Sequence, residues 1–156
     1  MVIFATLCYL RYRKRILLLR KAPGLFGEGK WNAPGGKLFP GESPSEGAVR
    51  EMLEETGLKV GDPEFHGILN FYLGDAKELD QIVFVFSCGK FSGKLQRSKE
   101  GELRWFPVNR IPLNDMWEDD RVWLQLLLKE ETFVGDFYFS EKYQRLIDHK
   151  IRVIDF

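Results

Sequence analysis

The sequence carries no excess of charge of either sign: 23 lysines and arginines balance 23 aspartates and glutamates. Long nucleic acids are held mainly through a basic surface facing their phosphates, so a polynucleotide partner is not expected. Cysteine is scarce. Cys8 and Cys88 stand singly inside apolar runs, with no second cysteine or histidine at metal-ligand spacing. They can pair, but two isolated core thiols in a reducing cytoplasm fit better than a disulfide framework. The two histidines, His66 and His149, are lone, and a structural role is expected of each. No apolar run reaches the ~20 residues of a membrane span. The apolar first ten residues are followed, not preceded, by Arg11, Arg13, Lys14 and Arg15. A secretory leader has the opposite order, so residues 2–10 read as a buried strand. Internal repeats and low-complexity linkers are also missing.

What is present fits one domain, residues 1–156, of ordinary composition (44% hydrophobic, 29% charged). Aromatics are plentiful at 14%; they fill a core or line a pocket for a flat ligand. Residues 2–11 and 16–21 are apolar runs around a basic turn and suggest paired strands. Residues 22–30 hold Pro23, Gly24, Gly27 and Gly29 and form a loop, and Pro34-Gly35-Gly36 reads as a further turn. Ser43, Pro44 and Glu46 have the spacing of a capping box with proline in the first helical turn, and Gly57 is a natural stop. Residues 64–73, 81–91, 102–108 and 132–139 read as strands, and residues 151–156 suggest one more. Val122, Trp123, Leu126 and Leu127 place an amphipathic helix over 119–130. The expected class is α/β or α+β, a mixed β-sheet sandwiched between helices.

The chemistry concentrates in residues 36–58. Residues three and four apart share a helix face, so Glu51, Glu54 and Glu55 project together. Val49, Met52, Leu53 and Thr56 are expected on the opposite, packed side. Three carboxylates on one face repel one another, and a hard divalent cation with oxygen ligands removes that repulsion. Arg50 stands four residues before Glu54 and can hold it. Gly35-Gly36 offers bare backbone, so a carbonyl can reach the same ion. A solvated acidic face is the ordinary fate of such a charge run. Glu54-Glu55 alone fits that description, but the whole constellation does not.

The pattern Gly36-x5-Glu42-x7-Arg50-Glu51-Met52-x-Glu54-Glu55-x-Gly57-Leu58 resembles the Nudix box, with every fixed position present. The resemblance implies a pyrophosphohydrolase whose loop–helix–loop binds Mg²⁺, with Mn²⁺ as an alternative, against a substrate diphosphate. It implies Glu51, Glu54 and Glu55 as metal ligands, the Gly36 carbonyl as a further one, Glu42 as a support of the loop and Arg50 as the group that orients the glutamates. Two candidates stand for the carboxylate that takes the proton from water: Glu55, and Glu100 outside the box, which is also a candidate metal ligand. A plain loop role fits Glu100 equally well.

Residues 27–32 (GEGKWN), 111–120 (IPLNDMWEDD), 123–128 and 133–137 resemble the oxidised-purine nucleoside triphosphatases of that family, which act on 8-oxo-dGTP and 2-oxo-dATP. By that resemblance Asn32, Trp117, Asp119 and Asp120 form the base pocket, Phe26 and Phe71 its walls, and Lys37 joins the substrate-binding set. Trp117 offers a stacking face and Asn32 both a donor and an acceptor. Two close carboxylates in a dry pocket do not both ionise easily; one donating and one accepting can read an altered purine edge. The residues themselves equally allow Asp119 or Asp120 to be a helix cap. Gly101 stands where that branch has an apolar pocket residue, which predicts a wider pocket. The rival readings are pyrophosphatases of ADP-ribose, dinucleoside polyphosphates or nucleotide sugars, a broad-range triphosphatase, and a regulatory module. The last usually lacks box glutamates. A monomer with a small-molecule nucleotide substrate, in the cytoplasm, is expected.

Overall fold

Alternation along the first strand decides the layering. Ala5 and Tyr9 belong to one apolar core, Cys8 and Leu10 to a second. Side chains of a strand point alternately to opposite faces, so this strand is covered on both sides. Residues 16–18 split the same way, Ile16 and Leu18 to the first core and Leu17 to the second; Val83 and Val85 oppose Phe86 and Cys88.

The computed structural model describes all 156 residues. Its strands are β1 (Ile3–Tyr12), β2 (Arg15–Lys21), β3 (Trp31–Asn32), β4 (Gly35–Lys37), β5 (Lys59–Gly61), β6 (Glu64–Leu73), β7 (Glu78–Cys88), β8 (Lys90–Ser92), β9 (Gly101–Pro107), β10 (Phe133–Phe139) and β11 (Leu146–Val153). Helix α1 (Pro44–Thr56) lies between β4 and β5, and α2 (Asp120–Leu128) between β9 and β10. The main sheet runs β11-β10-β6-β7-β1-β2-β3, with β4 on β1 and β9 on β2; β5 and β8 form a small second sheet. The β1–β7 and β6–β10 pairs are parallel and the others antiparallel. The sheet is therefore mixed. Ala48 and Met52 of α1 enter the second core, while Trp123, Leu124 and Leu127 of α2 enter the first. The helices cover opposite faces, the expected sandwich. No helix is long and apolar enough to cross a membrane.

Several sequence expectations need correction. The two first runs pair only at the hairpin base, Arg11 with Ile16 and Tyr12 with Arg15; beyond it β1 joins β7 and β4, while β2 joins β9 and β3. Pro34-Gly35-Gly36 is not simply a turn, because Gly35 and Gly36 pair with Leu7 and Thr6. The last strand starts at Leu146, not residue 151. Leu53 is 52% exposed, so the packed side of α1 is narrower than expected. Gly101 does not widen a pocket: it sits on the β2–β9 ladder opposite Lys21, against the Arg20 carbonyl. Cys8 and Cys88 are free and buried. Buried His66 is satisfied by Ser87 Oγ at 2.6 Å and the Glu131 carbonyl at 3.2 Å.

Candidate active site

Helix α1 is fixed at both ends. Ser43 Oγ accepts from the Glu46 N–H at 3.1 Å and Glu46 Oε1 accepts from the Ser43 N–H at 2.9 Å, the capping box expected from their spacing. Gly57 ends the helix at φ 80°, where a Cβ is disfavoured. Met52 and Thr56 anchor the underside. Arg50 then gathers the acidic face. Its guanidinium donates to both Glu42 oxygens at 2.7 and 2.9 Å, to Glu51 at 2.9 Å, to Glu54 at 3.1 Å and to the Lys37 carbonyl at 3.1 Å. It also lies 3.6 Å over the Phe39 ring. Glu42 accepts from the Phe39 N–H as well, so one ion pair ties the loop to the helix. The Glu42 carboxyl is held below its ordinary range, chiefly by the hydrogen bond from Arg50.

Glu55 sits deeper. It is 6% exposed and accepts from the Gly35 N–H at 2.8 Å. Lys21 Nζ lies 3.9 Å from Glu55 and 3.5 Å from Glu100, so β2 brings the carboxylate outside the box to the one at its centre. Burial pushes Glu55 up to about 7, with Lys21 and the Gly35 N–H opposing. Burial also raises Glu51 despite Arg50. Close approach explains the glycine pair. A Cβ on Gly35 would sit 1.9 Å from the Thr6 carbonyl oxygen, and one on Gly36 would sit 2.7 Å from a Glu51 oxygen. As the side chains stand, no three carboxylates converge on one point; Glu51 and Glu54 turn to Arg50, and Glu55 to the Gly35 N–H. The candidate donors are all oxygens, carboxylates together with the Gly36 carbonyl, which suits a hard divalent cation.

Beside this cluster opens a pocket of about 180 Å³. Asn32, Phe26, Phe71, Trp117, Asp119 and Asp120 all line it, together with Gly35, Gly36 and Lys21 of the acidic site. Phe26 packs on Trp117 with centroids 5.1 Å apart and planes 31° apart. Asn32 Oδ1 accepts from the Ala33 N–H at 2.8 Å, so its amide N–H groups remain for a ligand. Asp119 precedes α2 but makes no capping bond; its Oδ2 accepts from Trp123 Nε1 at 2.8 Å. Asp120 Oδ2 is buried without a partner. Burial raises both carboxyls, and the Asp119 charge pushes Asp120 further. The geometry is that of two buried acids beside an aromatic slot, not of a helix cap. Lys37 stands apart: its side chain is exposed and does not line the pocket.

The NUDIX domain model matches residues 2–127. The chain belongs to the Nudix hydrolase family. It is 36% identical over 151 residues to the "Oxidized purine nucleoside triphosphate hydrolase" of Mus musculus, covering 96% of this chain and 94% of that protein. It is 36% identical over 142 residues to the protein of that name in Danio rerio, covering 90% and 88%. Among solved structures, a mutator MutT protein from Bacillus halodurans superposes with a TM-score of 0.84 at 28% identity, covering 96% of this chain and 97% of that one. Nudix hydrolases generally need a divalent metal, which agrees with the donor set.

Within this Nudix site, sequence reasoning missed four polar lining residues, Thr6, Lys21, Gln81 and Tyr143, as well as part of the apolar lining. Lys21 and Thr6 lie on ordinary-looking strands. Gln81 carried a signal, being a polar residue in register with Val83 and Val85, which face the first core. Tyr143 falls in a short 3-10 turn, Glu141–Tyr143, for which the sequence has no periodicity to read.

Proposed function

We propose that this Nudix hydrolase converts oxidised purine nucleoside triphosphates, such as 8-oxo-dGTP and 2-oxo-dATP, to the monophosphate and pyrophosphate. The observation that carries the reading is the buried Asp119–Asp120 pair, with its unpartnered Asp120 oxygen, in an aromatic pocket that opens onto the acidic helix. The names of the mouse and zebrafish relatives support it. Trp117 and Phe26 stack on the purine, with Phe71 behind. Asp120 holds a proton and donates, Asp119 accepts, and Asn32 donates. A shift of that proton lets the pair read a second base. The pocket's Gly35-Gly36 side lies where the phosphates run toward α1.

Glu51, Glu54 and Glu55, with the Gly36 carbonyl and Glu100, would hold Mg²⁺, or Mn²⁺ in its place. When bound, the cation neutralises the diphosphate and polarises the attacked phosphoryl group. Arg50 orients the glutamates through the contacts described above. Glu55 and Glu100 are the two candidates for the general base, and Lys21 links them. We assign Lys37, the exposed last residue of β4, to the phosphates. Residues 1–156 act as one unit, because β10 and β11, beyond the matched segment, extend the sheet through β6. We further propose a monomer in the cytoplasm with no polynucleotide partner, in keeping with unpaired buried thiols and zero net charge.

A hydrolysis screen over normal and oxidised nucleoside triphosphates, ADP-ribose and diadenosine polyphosphates tests the reading. The oxidised purine triphosphates are expected to lead in kcat/KM. Preference for ADP-ribose or a dinucleoside polyphosphate would overturn it.

A further inference from the structure

Tyr143 stands among the pocket aromatics, with ring centroids 5.3 Å from Phe139, 5.6 Å from Phe26, 5.9 Å from Trp117 and 6.2 Å from Phe71. Its backbone is held at φ 56° and that of Lys142 at φ 58°. Such left-handed geometry is uncommon in non-glycine residues and persists where the surroundings enforce it. The enforcement is visible at the hydroxyl. Tyr143 Oη lies 2.6 Å from Asp80 Oδ2 and 2.9 Å from Gln81 Nε2.

The donor inventory leaves one arrangement. An ionised carboxylate only accepts, so the phenol proton goes to Asp80. The phenol oxygen then has only lone pairs to offer Gln81, so it receives the amide N–H. Burial, and then the Asp80 carboxylate, raise the phenol above its ordinary value and keep that proton in place. Gln81 is thereby prevented from flipping. One N–H of Nε2 is committed to Tyr143, which leaves the second N–H and Oε1, and Oε1 is the one acceptor Gln81 can offer the pocket that it lines.

We propose that Gln81 is a specificity-determining residue whose fixed Oε1 accepts a hydrogen bond from the N7–H of an 8-oxopurine, and that Tyr143 is the positioning residue that fixes it. An 8-oxopurine carries a proton on N7, where an unoxidised purine presents a lone pair. A fixed acceptor at that edge favours the first and repels the second. The acidic pair and Asn32 are then left to read the opposite edge of the base. This inference rests on the oxidised-purine reading above.

The test measures kcat/KM for 8-oxo-dGTP, 8-oxo-dATP, 2-oxo-dATP and dGTP in the wild type, Gln81→Met, Tyr143→Phe and the double variant. Gln81→Met keeps length and removes the acceptor; Tyr143→Phe keeps the ring and frees the amide. One neutral hydrogen bond corresponds to about a three- to tenfold change. Gln81→Met is expected to lose about that factor on the two 8-oxo substrates and to lose nothing, or to gain, on 2-oxo-dATP and dGTP, which present an N7 lone pair. Tyr143→Phe is expected to lose part of it on the same two, and the double variant no more than Gln81→Met. Equal losses on all four substrates would mean a merely structural role and overturn the proposal. So would unchanged selectivity, or losses that multiply in the double variant. A wild type without preference for oxidised purines would overturn the substrate reading and this inference together; an intact wild-type preference that the variants leave alone overturns only the inference.

Discussion

Glu55→Gln should make the metal-free protein more stable at neutral pH while removing most of its turnover. The Glu55 carboxyl is 6% exposed and raised by burial from 4.5 to about 7. A group whose folded value is raised holds its proton more tightly in the native state. Between pH 4.5 and 7 the native state therefore binds more protons than the unfolded one, and stability falls as pH rises through that window. Above pH 7 the penalty is complete. At about 1.4 kcal/mol per pKa unit, it amounts to about 3 kcal/mol. Glutamine is neutral, keeps an oxygen for the Gly35 N–H and escapes the penalty. For a chain of this length 1 kcal/mol moves Tm by about 2–4 °C, so the variant should melt roughly 6–12 °C higher at pH 8 in chelator and near the wild type at pH 4. Calorimetry at the two pH values, with a turnover assay in saturating Mg²⁺, measures both halves. Equal Tm at pH 8, or near-normal turnover, would refute the assignment of Glu55 as a buried charge at the metal helix.

Arg50→Ala should release Glu42, Glu51 and Glu54 together, lowering the urea midpoint and weakening the dependence of rate on Mg²⁺. Ser43→Ala removes the capping box and should lower stability by about 1 kcal/mol with kcat intact, since Ser43 touches no site group. Asp119→Asn should reduce kcat/KM for 8-oxo-dGTP far more than for dGTP, whereas Trp117→Ala should raise KM for every purine; equal losses on both nucleotides for Asp119→Asn would return Asp119 to a structural role.

The parts legible in the sequence are those whose cause is local. The capping box and the glycine stop set α1 at both ends, and apolar runs fixed the extents of β6 and, nearly, of β10. The Arg50 contact with Glu54 followed from helical spacing. What escaped depends on distant partners. Gly35 and Gly36 look like turn residues, yet both lie on the β1–β4 ladder, and the Thr6 carbonyl leaves no room for a Cβ on Gly35. In the edge strand β11 the run from Ile147 to Lys150 is exposed throughout, so no alternation marks its first half. Lys21 joins Glu55 to Glu100 only after β2 has paired with β9. Tyr143 reaches the pocket from a turn held by Asp80 and Gln81, more than 60 positions earlier in the chain.

The most direct test of the central claim is product analysis on 8-oxo-dGTP. Purified protein with Mg²⁺ should release 8-oxo-dGMP and pyrophosphate in equal amounts, faster than dGMP from dGTP, and should stop when a chelator is added. Inorganic phosphate and 8-oxo-dGDP as first products, or no preference for the oxidised nucleotide, would contradict it.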